Sequence, residues 1–263
     1  MGLPVSIHVR DRECSGPAES SVANAVEAAF DEMRRFDAIF SPYRSDSRLA
    51  AVRAGHLHTD DAGPQFAEML DRAADAQRLT GGAFDVRFAG RLDPSGLVKG
   101  WAAERAGSLL AGLGHDWYLN AGGDITCSAK GEPWRIGIEH PADPSGVITV
   151  VGLGSGGLAT SGSAHRGAHI IDPLTGTPAS GISQVTVIGP SLARADVWAT
   201  AIVARGRPAL LSVADPLLRA CIADGYQVLA VADNGKVHTT DGFAAYQVDD
   251  LPRPDAVPFA ALA

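Results

Sequence analysis

The chain has 263 residues, 46% hydrophobic and 20% charged, with a formal net charge of −8. That supplies apolar material for one large domain or two small ones, and the acidity excludes the basic footprint a nucleic-acid backbone requires. A phosphorylated small molecule is admitted only where a cation or a local set of donors brings the missing positive charge.

Met1 to Arg10 has no basic segment followed by an apolar run and no lipid-attachment cysteine. No later run approaches the roughly 18–20 apolar residues of a membrane span. The expectation is a cytoplasmic protein as written, exported only if a leader precedes the sequence given. Residues 3–10 alternate as a half-buried strand does. From Ser20 to Phe36 the apolar residues Val22, Ala25, Val26, Ala29, Met33 and Phe36 fall at helical spacing behind a serine cap. Ser41-Pro42 then breaks the pattern into a loop and a short helix. A second helix is predicted from Pro64 to Leu79, stopped by Thr80-Gly-Gly82.

Leu97 to Leu113 reads as a helix ending at Gly112 and Gly114, and Asp116 to Asn120 as a strand. Trp134 to Glu139 and Gly146 to Leu153 alternate as paired strands, residues 183–189 form another strand, 193–205 a helix, and Pro208 to Asp215 a further short helix. Gln227 to Ala232 and Gly235 to Thr239 make a hairpin turned at Asp233-Asn-Gly235. Strands and helices mix without strict alternation, so the fold class is α/β or α+β with mixed sheets. A Rossmann fold is disfavoured, because no Gly-x-Gly-x-x-Gly joins a strand to a helix. No internal repeat or low-complexity linker is present. The three cysteines, Cys14, Cys127 and Cys221, have no paired spacing, so they read as small buried hydrophobes in a reducing compartment.

Chemistry-bearing residues concentrate in a few segments. Leu158 to Pro178 packs hydroxyls, His165, Arg166, His169 and Asp172 between glycines, which predicts a surface segment rather than a core element. Asp196 and Thr200 stand four apart on one helical face. They are hard oxygen ligands suited to Mg²⁺, although the same pair would serve as a helix cap and a back-bonded hydroxyl. Asp93-Pro-Ser-Gly-Leu-Val-Lys-Gly100 feeds a helix. Its amides and Lys99 are placed for a phosphate and the Gly96 carbonyl for a cation; an ordinary turn is the alternative. Asn120-Ala-Gly-Gly-Asp124 and Thr80-Gly-Gly-Ala-Phe-Asp85 each offer close backbone approach to a ligand or a plain tight connection. Tyr43 is placed to stack on an aromatic ligand or simply to pack.

These segments, with Thr160-Ser-Gly162, His169-Ile-Ile-Asp-Pro-Leu-Thr-Gly176 and Ala195-Asp-Val-Trp-Ala-Thr200, occur in the order seen in the ApbE family, which the chain resembles over about residues 1–245. The resemblance implies an ApbE-like fold with mixed sheets flanked by helices and an FAD site in the cleft between two subdomains. It implies one domain over residues 1–250 and an irregular tail over 251–263. It further implies Mg²⁺-dependent transfer of FMN from FAD to a Thr or Ser hydroxyl of an acceptor flavoprotein, releasing AMP. The same site using water would be an FAD pyrophosphatase, and without catalysis an FAD-binding protein.

Carried over onto this sequence, the resemblance makes Asp196 and Thr200 metal ligands, with the carbonyls of Gly96 and Ala199. FAD contacts fall on Met1, Tyr43, Ala83, Phe84, Asp85, Asp93, Lys99 and His169, and His169 is the general base. The chain departs from the family pattern between Ser161 and His169, where relatives often carry an aromatic and this sequence has Ala164, His165 and Arg166.

Overall fold

The computed structural model describes residues 2–10, 19–88, 90–162, 170–206, 215–248 and 256–258. Strands β1 (Val5–Arg10), β4 (Asp116–Ala121), β5 (Asp124–Ser128), β8 (Ser155–Gly162), β9 (Ile182–Gly189), β10 (Gln227–Ala232), β11 (Val237–Thr239) and β12 (Ala256–Pro258) form one eight-stranded sheet in that order. Every neighbouring pair is antiparallel except β11 and β12, which run parallel. A short ribbon joins β2 (Arg87–Phe88) to β3 (Arg91–Leu92), and β6 (Trp134–His140) pairs with β7 (Asp143–Leu153) as a separate hairpin. The helices are α1 (Glu19–Phe40), α2 (Arg48–Arg53), α3 (Pro64–Leu79), α4 (Ser95–Ser108), α5 (Leu192–Arg205) and α6 (Pro216–Ala223). Among the described residues no helix is long and apolar enough to cross a membrane.

Alternation along the strands builds two cores, one on each face of the sheet. Leu119, Ala159, Val185, Val187, Val228 and Ala230 join the helices in the larger one. Ile125, Leu158, Ile188, Leu229 and Val231 face the other way, onto Ile136, Ile138, Val151 and Leu153 of the β6–β7 hairpin. The sheet is therefore covered by helices on one side and by a hairpin on the other. Helix α5 is apolar nearly all round, with eleven of its residues buried.

Two close approaches set the position of α5. A Cβ on Gly157 would lie 2.4 Å from the Leu192 Cα, and one on Gly100 would lie 2.9 Å from the Leu192 carbonyl oxygen. Glycine at these points lets α5 press against β8 on one side and α4 on the other. The N-terminus of α5 is held by Ser191, whose Oγ accepts the Arg194 N–H, and by Glu104, whose Oε2 accepts the Ser191 hydroxyl at 2.6 Å and the Ala193 N–H at 3.0 Å.

Several elements differ from the sequence reading. The first helix continues to Phe40, and the helix predicted through Leu113 ends at Ser108 before a 3-10 turn over Ala111–Leu113. The short helix predicted over 208–215 falls almost wholly outside the described residues; α6 starts at Pro216, with Asp215 Oδ1 accepting the Leu217 N–H. Three residues of the tail expected to be irregular, Ala256–Pro258, add a parallel strand to β11.

The largest correction concerns Leu158 to Gly162, expected at the surface. They lie in β8, mid-sheet, where β5 and β9 satisfy the backbone. The hydroxyls find partners too: Thr160 bonds Thr186 at 2.9 Å and Ser161 bonds Thr200 at 3.1 Å. Polar side chains do not bar a segment from the interior when each has a partner.

Candidate functional site

The C-terminal end of α3 turns directly into one wall of a cleft. Thr80 is buried; its hydroxyl donates to the Ala76 carbonyl at 2.8 Å and accepts the Phe84 N–H at 3.0 Å. That clamp fixes Ala83, Phe84 and Asp85 along the wall. Asp85 is braced by the Gln77 side chain at 3.0 Å and by the Arg87 N–H at 2.7 Å. Asp93 accepts the Ser95 N–H at 3.2 Å where α4 begins and faces Arg53 at 3.4 Å.

The cleft encloses about 750 Å³ between this wall, the ends of α4 and α5, strand β8 and the inner face of the β6–β7 hairpin. Such a volume falls in the range of sites that engulf a small ligand or cofactor. Ala83, Phe84, Asp85, Asp93, Gly96, Lys99, Asp196 and Thr200 all line it, so eight of the residues singled out from sequence are brought together from three separate segments. Ala199 is fully buried and does not line the cleft. Tyr43 is 72% exposed and lies outside the lining, near Gly2, whose neighbour Leu3 is on the rim. Met1 and His169 lie outside the described residues, as do His165, Arg166 and Cys14.

Asp196 does not cap α5, since Ser191 does. Its Oδ2 accepts the Gly100 N–H of α4 at 3.1 Å, and its Oδ1 lies 3.6 Å from Lys99 Nζ. The same ammonium is 2.9 Å from Asp124 Oδ2. Asp124 and Asp196 are both buried, at 0% and 1% exposure, so two carboxylates share one lysine at the cleft floor. Burial, opposed by Lys99 and reinforced by Asp124, pushes the Asp196 carboxyl up to about 7. Thr200 Oγ1 sits one turn further along, beside Ser161 Oγ, and a Cβ on Gly96 would come within 3.3 Å of it.

Sequence reasoning left Ile136, Ile138 and Glu139 of the hairpin out of the site, whereas Asn120, Gly122 and Gly123 of the β4–β5 turn, singled out there as a place for close backbone approach, also line the cleft. In that turn Asn120 Oδ1 accepts the Gly123 N–H at 2.8 Å, and both glycines have positive φ, +61° and +95°. The Asn-Ala-Gly-Gly-Asp segment is thus a tight connection that also borders the cleft. Its aspartate, Asp124, carried a usable signal: a carboxylate directly after a glycine pair at the start of an apolar strand.

The two buried thiols take no part. Cys127 is driven up to about 12 by burial and Cys221 is likewise raised, which leaves both protonated and inert at neutral pH.

The chemistry this floor suits can be judged from its charge. Asp124 and Asp196 bring two buried carboxylates to the Lys99 ammonium, and a divalent cation beside Asp196 would favour its ionised form. The donors near Thr200 are all oxygen. Among the described residues no three His, Cys, Asp or Glu side chains converge on one point. That donor set fits magnesium, which binds through one or two carboxylates and keeps waters or ligand phosphates.

Fold and cleft together define the class: a mixed α/β protein whose antiparallel sheet and paired helices bury a carboxylate–lysine floor beneath a deep cleft. The ApbE family model matches residues 1–91 and 86–222, and the chain belongs to the ApbE family. The FAD:protein FMN transferase of Salmonella typhimurium is 33% identical over 129 residues, 44% of this chain and 37% of that protein. The chain thus matches well under half the length of that curated relative. An ApbE protein of Thermotoga maritima superposes with a TM-score of 0.76 at 22% identity, covering 94% of this chain and 97% of its own. For the flavin transferase ApbE of Vibrio cholerae the TM-score is 0.74 at 22% identity, with 94% and 96% covered. Both share the fold.

Proposed function

We propose that this chain is an FAD:protein FMN transferase that works with Mg²⁺. The observation that carries the reading is the convergence of Asp196, Thr200, Gly96 and Lys99 on one cleft of about 750 Å³, with the buried Asp196 carboxylate 3.6 Å from the Lys99 ammonium. Asp196 and Thr200, with the carbonyls of Gly96 and Ala199, would hold the cation. When bound, it offsets pyrophosphate charge and stabilises the departing AMP. Lys99 presents a second positive charge to the phosphates from the floor.

Ala83, Phe84, Asp85 and Asp93 hold FAD along the wall, with Met1, Tyr43 and His169 as further contacts carried by the family resemblance. Ile136, Ile138 and Leu158 keep water from the reacting centre. His169 takes the proton from the acceptor's Thr or Ser hydroxyl; the next residues along the chain, Ile170 and Ile171, line the cleft. The hydroxyl oxygen then forms a bond to the FMN phosphorus as the phosphoanhydride bond to AMP breaks. The partner is an acceptor protein with an FMN-binding domain carrying that hydroxyl.

The test is incubation with FAD and Mg²⁺, with and without an acceptor domain, following acceptor mass and AMP. A mass gain equal to FMN esterification, with one AMP released per label, is the expected result. AMP and free FMN without labelling would make the activity a pyrophosphatase, and no AMP in either tube would leave an FAD-binding protein.

A further inference from the structure

A threonine inside a helix often sends its hydroxyl proton back to the carbonyl one turn earlier. Among the described residues the Thr200 hydroxyl makes no such bond; its partner is Ser161 Oγ, at 3.1 Å, across the junction of α5 and β8. Ser161 is held by the sheet. It stands opposite Val185 of β9, and its neighbour Thr160 donates its N–H to Asp124 Oδ1 at 3.2 Å and pairs its hydroxyl with Thr186 at 2.9 Å. Thr200 is equally confined, since a Cβ on Gly96 would lie 3.3 Å from its Oγ1 and 3.4 Å from its Cγ2. Both residues line the cleft. Two hydroxyls on rigid elements thus meet at its wall.

We propose that Ser161 is a positioning residue that accepts the Thr200 hydroxyl proton and so turns a Thr200 lone pair toward a divalent cation. This rests on the reading of Asp196 and Thr200 as metal ligands. The physical case is local. A hydroxyl carries one proton and two lone pairs, and it binds a cation through a lone pair while the cation repels the proton. That proton needs an acceptor on the side away from the ion, or a donor is left unpaired. Ser161 Oγ stands within hydrogen-bond distance to take it. The Ser161 proton is then directed to the cleft, where water or a ligand oxygen accepts it. The competing accounts are that Ser161 holds the ion itself, or that the bond only ties α5 to β8.

The experiment reads Mn²⁺ affinity on the full chain without FAD at pH 8, from the electron paramagnetic resonance of the free ion. Ser161→Ala is expected to weaken Mn²⁺ by about three- to tenfold when Thr200 is present, and by less than about twofold beside Thr200→Val, where no hydroxyl is left to turn. Equal weakening in both backgrounds overturns the proposal, because Ser161 would then bind the ion directly or act through structure. No weakening in either also overturns it. Ser161→Thr and Ser161→Val share one shape and differ by the oxygen, so packing and folding affect both alike. Ser161→Thr is expected to bind Mn²⁺ about three- to tenfold more tightly than Ser161→Val. Equal affinities for that pair overturn the proposal whatever the cycle shows. Asp196→Ala separates the two readings. If it removes Mn²⁺ binding while nothing depends on the Ser161 oxygen, only the role of Ser161 falls. If Mn²⁺ still binds, or wild type binds none, the metal reading falls and takes this one with it.

Discussion

Replacing Gly100 with alanine tests whether the crossing of α4 and α5 sets the position of Asp196. The added Cβ would lie 2.9 Å from the Leu192 carbonyl oxygen, 3.0 Å from the Asp196 Cβ and 3.1 Å from the Ala193 Cα. Carbon contacts settle at about 3.5–4.0 Å, so the helices must part by roughly half an ångström. Overpacking of this kind costs about 1–3 kcal/mol. Alanine's better helix propensity returns up to about 1 kcal/mol. A net loss of about 1–2 kcal/mol lowers Tm by roughly 2–8 °C in a chain of this size. Because the Gly100 N–H holds Asp196 Oδ2 at 3.1 Å, the carboxylate moves with the helix. Displacements of about 1 Å at a reacting centre cost up to about a hundredfold, so AMP release should fall by about tenfold.

Thermal melts and AMP release from FAD with Mg²⁺ provide the assays, and Gly112→Ala is the control. A Cβ there meets nothing within 4 Å, and that variant should match wild type in both. If Gly100→Ala matches the control in stability and in rate, the crossing has room to spare and the argument from close packing is wrong.

Asp196 should also govern how metal-free stability depends on pH. Its carboxyl is raised from 3.8 to about 7, so between those values the folded state keeps a proton the unfolded chain has lost. This contribution to stability is complete below pH 4 and disappears as pH rises through 7. Metal-free Asp196→Asn should therefore melt near wild type at pH 4 and increasingly above it as pH rises to 8, an order that saturating Mg²⁺ reverses by binding only the wild-type carboxylate; parallel curves for the two proteins would contradict the raised value. Glu104→Ala removes the one oxygen that accepts both the Ser191 hydroxyl and the Ala193 N–H at the start of α5 and should cost about 1–3 kcal/mol in urea unfolding, with Glu104→Gln milder; no change would mean the contact is idle. His169→Ala should slow turnover by about a hundredfold or more while FAD affinity changes little. Weaker binding at an unchanged rate would reduce His169 to a contact residue.

Where local chemistry alone sets an element, its limits were legible. Helix α3 runs from Pro64 to Leu79 as read, because proline suits the first helical position and the Gly81-Gly82 pair stops the last. The β10–β11 hairpin follows from Asp233-Asn-Gly235, whose backbone demands a tight turn. The Asp196 and Thr200 pairing was visible as well, since four residues on a helix bring two side chains to one face.

What no stretch of sequence could reveal is which segments meet. The second half of strand β8 looked like surface because Leu158 to Gly162 opens a stretch rich in hydroxyls and glycine. Only the sheet shows that Thr186 and Thr200 wait for those hydroxyls and that glycine admits α5. The Asp124–Lys99 contact joins a strand and a helix that share no pattern, and its distance comes from packing α4 against the sheet. Side-chain type and spacing thus determined helix α3, the hairpin turn and the shared face of Asp196 and Thr200. Tertiary structure alone decided the charge balance at the cleft floor, because electrostatic energy depends on separation and burial, and neither is written along the chain.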